Sequence, residues 1–311
     1  MPATKVFVTD TLPAPAKEAL QGCEVFEGEA SDDVLSQCEV LIAWPSRARG
    51  ELLKKMKGLK ALQSMAAGVD GFELSSLPSG VRVFSNAGAF TVPVAEHAWG
   101  ILLGVAKGVH IRNSQTIPRM LRGKALLVVG CGSIGTEVAR LSRSLNMRTI
   151  GASRSFKDPS AFDERHPMSE LKEAIGKADA VVIALPLTSN TKGVVDYATL
   201  AAAKEHVVVA NVGRGETVDE EGLVKWLSER PESRYATDVF WKREGREVFD
   251  TAAWQLPNFA GTLHRSGVPL GNDLSVPKVA AAKNVGRYLA TGKAENEVDV
   301  REYGASDGRP S

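Results

Sequence analysis

Short apolar runs recur along the chain, separated by stretches whose apolar residues return at helical spacing. In the first 92 residues KVFVTD (5–10), EVFEG (24–28), EVLIAW (39–44), LKALQSM (59–65) and VRVFSN (81–86) read as strands. The intervening PAPAKEAL, SDDVLSQC, ARGELLKKMK and DGFELSSL read as helices. Strand–helix alternation predicts a parallel sheet with helices on both faces. A long helix follows over residues 94–109, and a second series begins with LRGKALLVVG (121–130). Its later strands are MRTIGAS (147–153), AVVIALP (180–186), HVVVANV (206–212), YATDVF (235–240) and a short NFAGT (258–262). The last helix, residues 276–291, stops at Gly292, and GASDGRPS after it reads as a frayed tail. Two similar architectures therefore follow one another without a low-complexity linker or a sequence repeat.

A chain of 311 residues is long for one α/β core and comfortable for two domains. The composition, 43% hydrophobic and 24% charged, is that of a globular protein. A net charge of +1 argues against nucleic acid as the partner, since such binders carry a basic excess. No apolar run reaches the length of a membrane span, so no membrane association is expected. The opening MPATKVFVTD starts a strand directly and lacks the parts of a signal peptide. Cys23, Cys38 and Cys131 have neither metal nor disulfide spacing and read as thiols in a reducing compartment. The expectation is a cytoplasmic protein without a metal.

Candidate chemistry starts at Gly130-Cys131-Gly132-Ser133-Ile134-Gly135, which follows the strand ALLVV and opens the helix IGTEVARLSRSL. In that context Gly130 permits a tight turn, Gly132 leaves room for a pyrophosphate, and Gly135 lets helix and strand pack closely. The helix start at Ser133 and Ile134 offers amides and a positive dipole to phosphates. A merely flexible turn is the competing explanation, but strand, glycines and helix in order favour a dinucleotide site. The next strand selects the dinucleotide. NAD sites place an acid near its end for the ribose hydroxyls. Here the strand ends in Ser153-Arg154-Ser155, a guanidinium between two hydroxyls, with Lys157 nearby. That combination suits a 2′-phosphate, so NADP, used as NADPH, is expected over NAD.

Further segments, read together, carry a family resemblance: AAGVDGF (66–72), NAGAFTVPVAEHAWGILL (86–103), LRGK before the glycines, ALPLTSNTKGVV (184–195), NVGRGETVDEEGL (211–223), ATDVF (236–240) and TLHRSG (262–267). In that order, over nearly the whole chain, they resemble the D-isomer specific 2-hydroxyacid dehydrogenases, in particular the glyoxylate and hydroxypyruvate reductases. The resemblance implies an α/β protein with a Rossmann dinucleotide-binding domain (93–267) inserted into a flavodoxin-like substrate domain (1–92 and 268–311). It also implies a homodimer and an Arg, Glu, His catalytic set. The arginine falls on Arg214 and the histidine on His264, preceded by Leu263 where the family has proline. The family's acid and proline follow the DVF strand shortly; in DVFWKREGREV, Glu244 stands one residue late with Gly245 in place of proline, and Glu247 is the fallback. Glu244 needs the smaller shift and is the assignment. The resemblance further places Ala67 and Gly68 at the substrate carboxylate, Pro186, Thr188 and Val212 along the cofactor, and Asp238 at the nicotinamide carboxamide.

The residue types suit the chemistry. A 2-keto acid has a carboxylate and a carbonyl that becomes an alkoxide as hydride arrives. Arg214 can bind both oxygens and stabilise the developing charge. His264 can deliver the proton, or remove it in the reverse direction, with a carboxylate orienting its ring. Among the other histidines, His97 reads as a packing or supporting residue, and His110, His166 and His206 as surface or capping residues. Side-chain specificity would depend on loops around Trp44, Ala67, Phe90 and Trp241. The expected activity is therefore reduction of a small 2-keto acid to its D-2-hydroxy acid. Two alternatives share the fold: a non-enzymatic, dinucleotide-sensing binding protein, which retention of Arg214, Glu244 and His264 disfavours, and a formate dehydrogenase.

Overall fold

The computed structural model describes residues 3–111, 117–268 and 273–304. The tail beyond residue 304 lies outside the described residues. The chain divides into two compact units: Met1–Phe90 with Pro269–Ser311, and Thr91–Val268. The second is thus inserted into the first.

The first unit contains β1 (Lys5–Val8), α1 (Ala14–Glu18), β2 (Glu24–Glu27), α2 (Asp32–Gln37), β3 (Val40–Ala43), α3 (Gly50–Lys55), β4 (Ala61–Ser64) and β5 (Arg82–Phe84). Its last helix, Ser275–Thr291, becomes α9 in chain order. The five strands are parallel in the order β2-β1-β3-β4-β5, the flavodoxin-like arrangement. Alternation decides which side chain goes where. Val6, Val8, Val40 and Ile42 pack with Leu12, Ala16 and Leu20 near α1, and with Ala281, Ala282 and Val285 of α9. Phe7, Leu41, Ala43 and Leu62 pack on the other side with Leu35 of α2 and Leu53 of α3. The segment DGFELSSL is not the expected helix. It makes only a three-residue 3-10 turn, Leu74–Ser76, because its paired serines and the following Pro78 do not sustain a helix.

The second unit begins with the long helix α4 (Thr91–Lys107) and continues β6 (Ala125–Val129), α5 (Ser133–Ser142), β7 (Arg148–Ala152), β8 (Glu164–His166), α6 (Leu171–Lys177), β9 (Ala180–Ile183), α7 (Tyr197–Ala201), β10 (Val208–Asn211), α8 (Glu220–Glu229) and β11 (Arg234–Thr237). A short hairpin, β12 (Lys242–Arg243) and β13 (Arg246–Glu247), precedes β14 (Phe259–Gly261). The seven-stranded parallel sheet runs β14-β11-β10-β9-β6-β7-β8, a Rossmann arrangement. Leu127, Val129, Val181 and Ile183 bury against Leu171 and Ile175 of α6 and Leu223 and Trp226 of α8, while α4 and α5 cover the opposite face. Strand order reverses between β6 and β9, so the crevice outside their carboxyl ends is where a ligand fits such a sheet.

The edge strand β8 escapes the hydrophobic pattern because its sequence is Glu-Arg-His. Its His166 is not a surface or capping residue but buried, with Nδ1 2.8 Å from Glu170 and Nε2 2.7 Å from Glu164. Both nitrogens donate only when the ring is charged. Burial opposes that charge, but the bonds to Glu170 and Glu164 outweigh it and raise the pKa above the ordinary 6.5. Glu164, held chiefly by Lys177 and then by His166, is lowered to about 2. The histidine's contribution to stability is complete below 6.5 and is lost as pH rises through its raised folded value. That of Glu164 is complete above 4.5 and is lost as pH falls towards about 2. Urea unfolding should therefore find His166→Gln most destabilised relative to wild type near pH ~5.5, with the gap narrowing near pH ~9. A gap that widens with pH contradicts the charged-ring account.

Candidate active site

The glycine loop connects β6 to α5 at the reversal of strand order. Gly130 has φ +96°, and a Cβ on it would lie 2.8 Å from the Ala184 carbonyl oxygen beyond β9. A Cβ on Gly135 would run into the Gly130 carbonyl. At Gly132, by contrast, nothing lies within 4 Å of that position. The loop is closed on the protein side and open at the helix start, where Ser133 and Ile134 head α5 with first-turn amides that have no partner inside the helix. These residues fit a dinucleotide pyrophosphate. Cys131 is pinned through its backbone: its N–H donates to Ser153 Oγ at 3.2 Å and its carbonyl accepts from Lys157 N–H at 3.0 Å. Burial pushes its thiol up to about 12, so it is no nucleophile.

Ser153, Arg154 and Ser155 follow β7, with Arg154 and Ser155 exposed. Across the reversal, Pro186 is exposed and Thr188 buried in the loop after β9. Thr191 shapes that loop, its hydroxyl donating to the Pro186 carbonyl at 2.6 Å and accepting from Thr188 N–H at 2.8 Å. Val212, buried, donates its N–H to Ile183 at 3.0 Å.

Arg214 stands after β10 between two glycines that cannot carry a side chain. A Cβ on Gly213 would come within 2.5 Å of the Leu185 carbonyl oxygen, and one on Gly215 would collide with the Phe240 backbone. Asn211 clamps the same turn, its Oδ1 accepting from Gly213 N–H and its Nδ2 donating to the Arg214 carbonyl, both at 3.0 Å. Thr217 adds a hydroxyl to that carbonyl at 2.6 Å. The Arg214 guanidinium, half-buried, is 2.8 Å from the Gly213 carbonyl.

The histidine's partner is Glu247, not Glu244. His264 Nδ1 lies 2.5 Å from Glu247 Oε2, and Glu247 Oε1 accepts the Phe240 N–H at 2.6 Å. Glu244 and Gly245 form the two-residue turn of the β12–β13 hairpin, with φ of 53° and 75°. Positive φ at both positions is the geometry that matches strand twist in such hairpins. It leaves Glu244 exposed at the tip while the returning strand brings Glu247 back to the base, where Val248 N–H reaches the Trp241 carbonyl. Because Nδ1 faces a carboxylate it carries a proton, which leaves Nε2 as the working nitrogen. The ring is 45% exposed, so it can meet a substrate.

The side chain of Asp238, the residue expected at the nicotinamide carboxamide, is held inside the protein. It is 0% exposed. Its Oδ1 accepts from the Thr262 hydroxyl at 2.6 Å and Arg265 N–H at 2.8 Å, and its Oδ2 accepts from Ser266 N–H at 2.9 Å. It organises the segment that carries His264. In the other unit, Ala67 and Gly68 lie half-buried in the turn after β4. There Ser64 Oγ is 2.9 Å from the carbonyl oxygens of Ala66 and Gly68, and Asn86 Nδ2 donates to the Met65 carbonyl at 2.9 Å. Ser64, Asn86, Thr191, Asn211, Thr217 and Thr262 were not singled out from the sequence. Each is a small polar residue whose importance lies in the backbone it ties, and Asn86, Asn211 and Thr262, which open NAGAF, NVGRG and TLHRSG, stand at motif boundaries that could have drawn attention to them.

Glycine loop, arginine turn and histidine–carboxylate pair on one parallel sheet define a nicotinamide-dependent oxidoreductase. Residues 89–266 match the family model described as "D-isomer specific 2-hydroxyacid dehydrogenase, NAD binding domain". The chain belongs to this family. It is similar to the D-3-phosphoglycerate dehydrogenase of Methanocaldococcus jannaschii, 24% identical over 95% of this chain, and spans 59% of that protein's length. It is also similar to the hydroxypyruvate reductase of Thermotoga maritima, 24% identical over 84% of this chain and 90% of that one. A solved structure from Pyrobaculum aerophilum, provisionally described as a formate dehydrogenase, is 31% identical with a TM-score of 0.82, covering 96% of this chain and all (100%) of that one.

The hairpin geometry makes a direct prediction. Glu247→Gln should lower kcat for a 2-keto acid by about tenfold or more, since the ring loses the acceptor that orients it. Glu244→Gln, altering only an exposed turn tip, should stay within about twofold of wild type in the same steady-state assay. The reverse ranking would return the role to Glu244.

Proposed function

We propose that the protein is an NADPH-dependent reductase of small 2-keto acids, glyoxylate or hydroxypyruvate, giving the D-2-hydroxy acid. The observation that carries the reading is the His264–Glu247 pair at 2.5 Å on the sheet that also presents the glycine loop and Arg214. The nicotinamide, when bound, supplies the hydride. Arg214 holds the substrate carboxylate and carbonyl oxygen with its planar fork and stabilises negative charge on that oxygen. His264, its Nδ1–H held by Glu247, gives its Nε2 proton to the same oxygen, and in the neutral form accepts it back in the oxidative direction. Ala67 and Gly68 supply backbone N–H groups to the carboxylate. Ser153, Arg154 and Ser155 receive the 2′-phosphate. Pro186, Thr188 and Val212 border the rest of the cofactor.

The same reading takes the protein as a cytoplasmic homodimer. Its three thiols are free, and among the described residues no helix is long and apolar enough to cross a membrane. Val109, Ile117 and Met120 stand 78%, 75% and 73% exposed in the chain after α4, and each would gain from cover by a second copy. Light scattering should return twice the chain mass.

Initial rates over a panel of 2-keto acids with NADPH and NADH test the activity. Turnover of glyoxylate or hydroxypyruvate, faster with NADPH, is expected, and cofactor binding without turnover of any 2-keto acid overturns it. Arg154→Ala should raise the Michaelis constant for NADPH about ten- to a hundredfold, the worth of a charge-assisted contact of about 1.5–3 kcal/mol, and change that for NADH little. Equal effects on both cofactors sink the phosphate assignment. Arg214→Lys keeps the charge but loses the fork. It should cut kcat/KM for the keto acid by about a hundredfold with NADPH affinity nearly unchanged. Normal turnover by the lysine variant would remove Arg214 from the substrate.

A further inference from the structure

We propose that His97, on α4, is a positioning residue for His264, acting through the Thr262 hydroxyl and the buried Asp238 carboxylate. The inference rests on the reading of His264 as the proton donor. His97 Nε2 lies 2.7 Å from Thr262 Oγ1, and Thr262 Oγ1 lies 2.6 Å from Asp238 Oδ1. An ionised carboxylate only accepts, so the single hydroxyl proton of Thr262 points at Asp238. The oxygen's lone pairs then face His97, whose Nε2 must be the donor. Every proton in this chain of two hydrogen bonds has one place to be, and each link fixes the next. His97 Nε2 is itself 3.5 Å from Asp238 Oδ1, so its N–H also lies in the field of that carboxylate.

The segment that Asp238 holds is tied to the sheet besides by Thr262 N–H, which donates to the Thr237 carbonyl at 2.9 Å. Leu263 is 50% exposed and contributes no apolar anchor, and His264 and Arg265 are exposed. Its shape comes from the bonds of Thr262, Arg265 and Ser266 to the Asp238 side chain, and of His264 N–H to the Asp238 carbonyl at 2.8 Å. His264 has φ +50°, a left-handed conformation that a residue with a Cβ keeps only where its surroundings impose it. Relaxation to negative φ would swing the imidazole away from Glu247. Thr262 is the first tether of the turn that enforces this conformation, and His97 is what orients the Thr262 hydroxyl. His97 touches no reacting atom in this scheme.

The test uses the whole enzyme with NADPH and its best 2-keto acid. Thr262→Val and His97→Phe remove one link each, and Thr262→Ser and His97→Gln restore a hydroxyl or an N–H donor at the same place. The two removals should each lower kcat by about tenfold or more while the NADPH Kd, read from cofactor fluorescence, stays within about twofold. The two conservative variants should recover most of the loss. In a His264→Ala background Thr262→Val should cost nothing further, because no ring remains to be placed. A general structural role would instead lower the residual rate of His264→Ala by the same factor as it lowers wild type, and that result overturns the proposal. Wild-type kcat in both Thr262→Val and His97→Phe, with His264→Ala inactive, also overturns it and leaves the proton donor standing. Full activity in His264→Ala rejects the proton donor itself. His97→Phe leaves every donor to Asp238 in place, so it decides the matter if Thr262→Val does not fold.

Discussion

A carboxylate with none of its surface exposed must find all its hydrogen bonds inside the protein, and Asp238 finds them in the segment that carries His264. Leaving such a group short of donors costs several kcal/mol or more, so the loop that satisfies it is held tightly. The constraint reaches along the sheet. Asp238 directly follows β11, Thr262 follows the neighbouring β14, and Asp238 N–H bonds the carbonyl of Asn211 at the end of β10. Asn211 in turn clamps the Arg214 turn. Arginine, buried carboxylate and histidine therefore sit at the carboxyl ends of three adjacent parallel strands, each fixed by a bond to the next. Pairing register between strands becomes relative placement of the groups of the candidate site.

Glu247 follows the same logic by a different route. An exposed ring could take many orientations, and a lone surface carboxylate would do little to limit them. Here the carboxylate is itself anchored, with one oxygen on the Phe240 N–H and the other on the imidazole. The hairpin makes this possible, because its reversal returns the chain to within reach of the strand exit it left. Phe240 stacks on Trp254, with ring centroids 5.7 Å apart, and meets Phe249 edge-on at 5.4 Å, so the base of the hairpin is packed rather than free. The positive φ of His264 is stable for the same reason, since it is enclosed by fixed points on both sides.

Much of this was legible before any coordinate. Strands such as VLIA, AVVI and VVAN are buried on both faces and so read as unbroken apolar runs. The glycine loop was legible because each glycine answers a separate steric demand. Edge strand β8 was not, since a strand stabilised by ion pairs on charged residues has no hydrophobic period to read. The hairpin was not, because Glu-Gly is a weak turn signal inside a charged run. With the hairpin unseen, the partner of His264 was counted along the chain from the strand exit, and Glu244 came first. A chain that reverses direction makes sequence distance a poor guide to spatial distance. The motif marks Asp238, but its burial and its three donors are tertiary facts that no pattern of residues encodes.

The loop after β7 is tied down at its first residue. Ser153 N–H bonds the His166 carbonyl at 3.1 Å, and its hydroxyl accepts from Cys131 N–H at 3.2 Å. An accepting serine still has its own proton to give, so tying Ser153 to the glycine loop leaves a donor for a phosphate oxygen. The first acid downstream is Asp158, and it is engaged: Arg140 lies 2.6 Å from one oxygen and the Ser160 hydroxyl 2.6 Å from the other. The Ser160 hydroxyl first, and then Arg140, hold its carboxyl down at about 2. It is charged at any physiological pH, but an arginine shares its field, which weakens any repulsion of a 2′-phosphate. Of Ser153, Arg154 and Ser155, Ser153 is the one whose backbone and hydroxyl are both tied in this way. On the proposed reading, a phosphate bound there would find Ser153 already ordered.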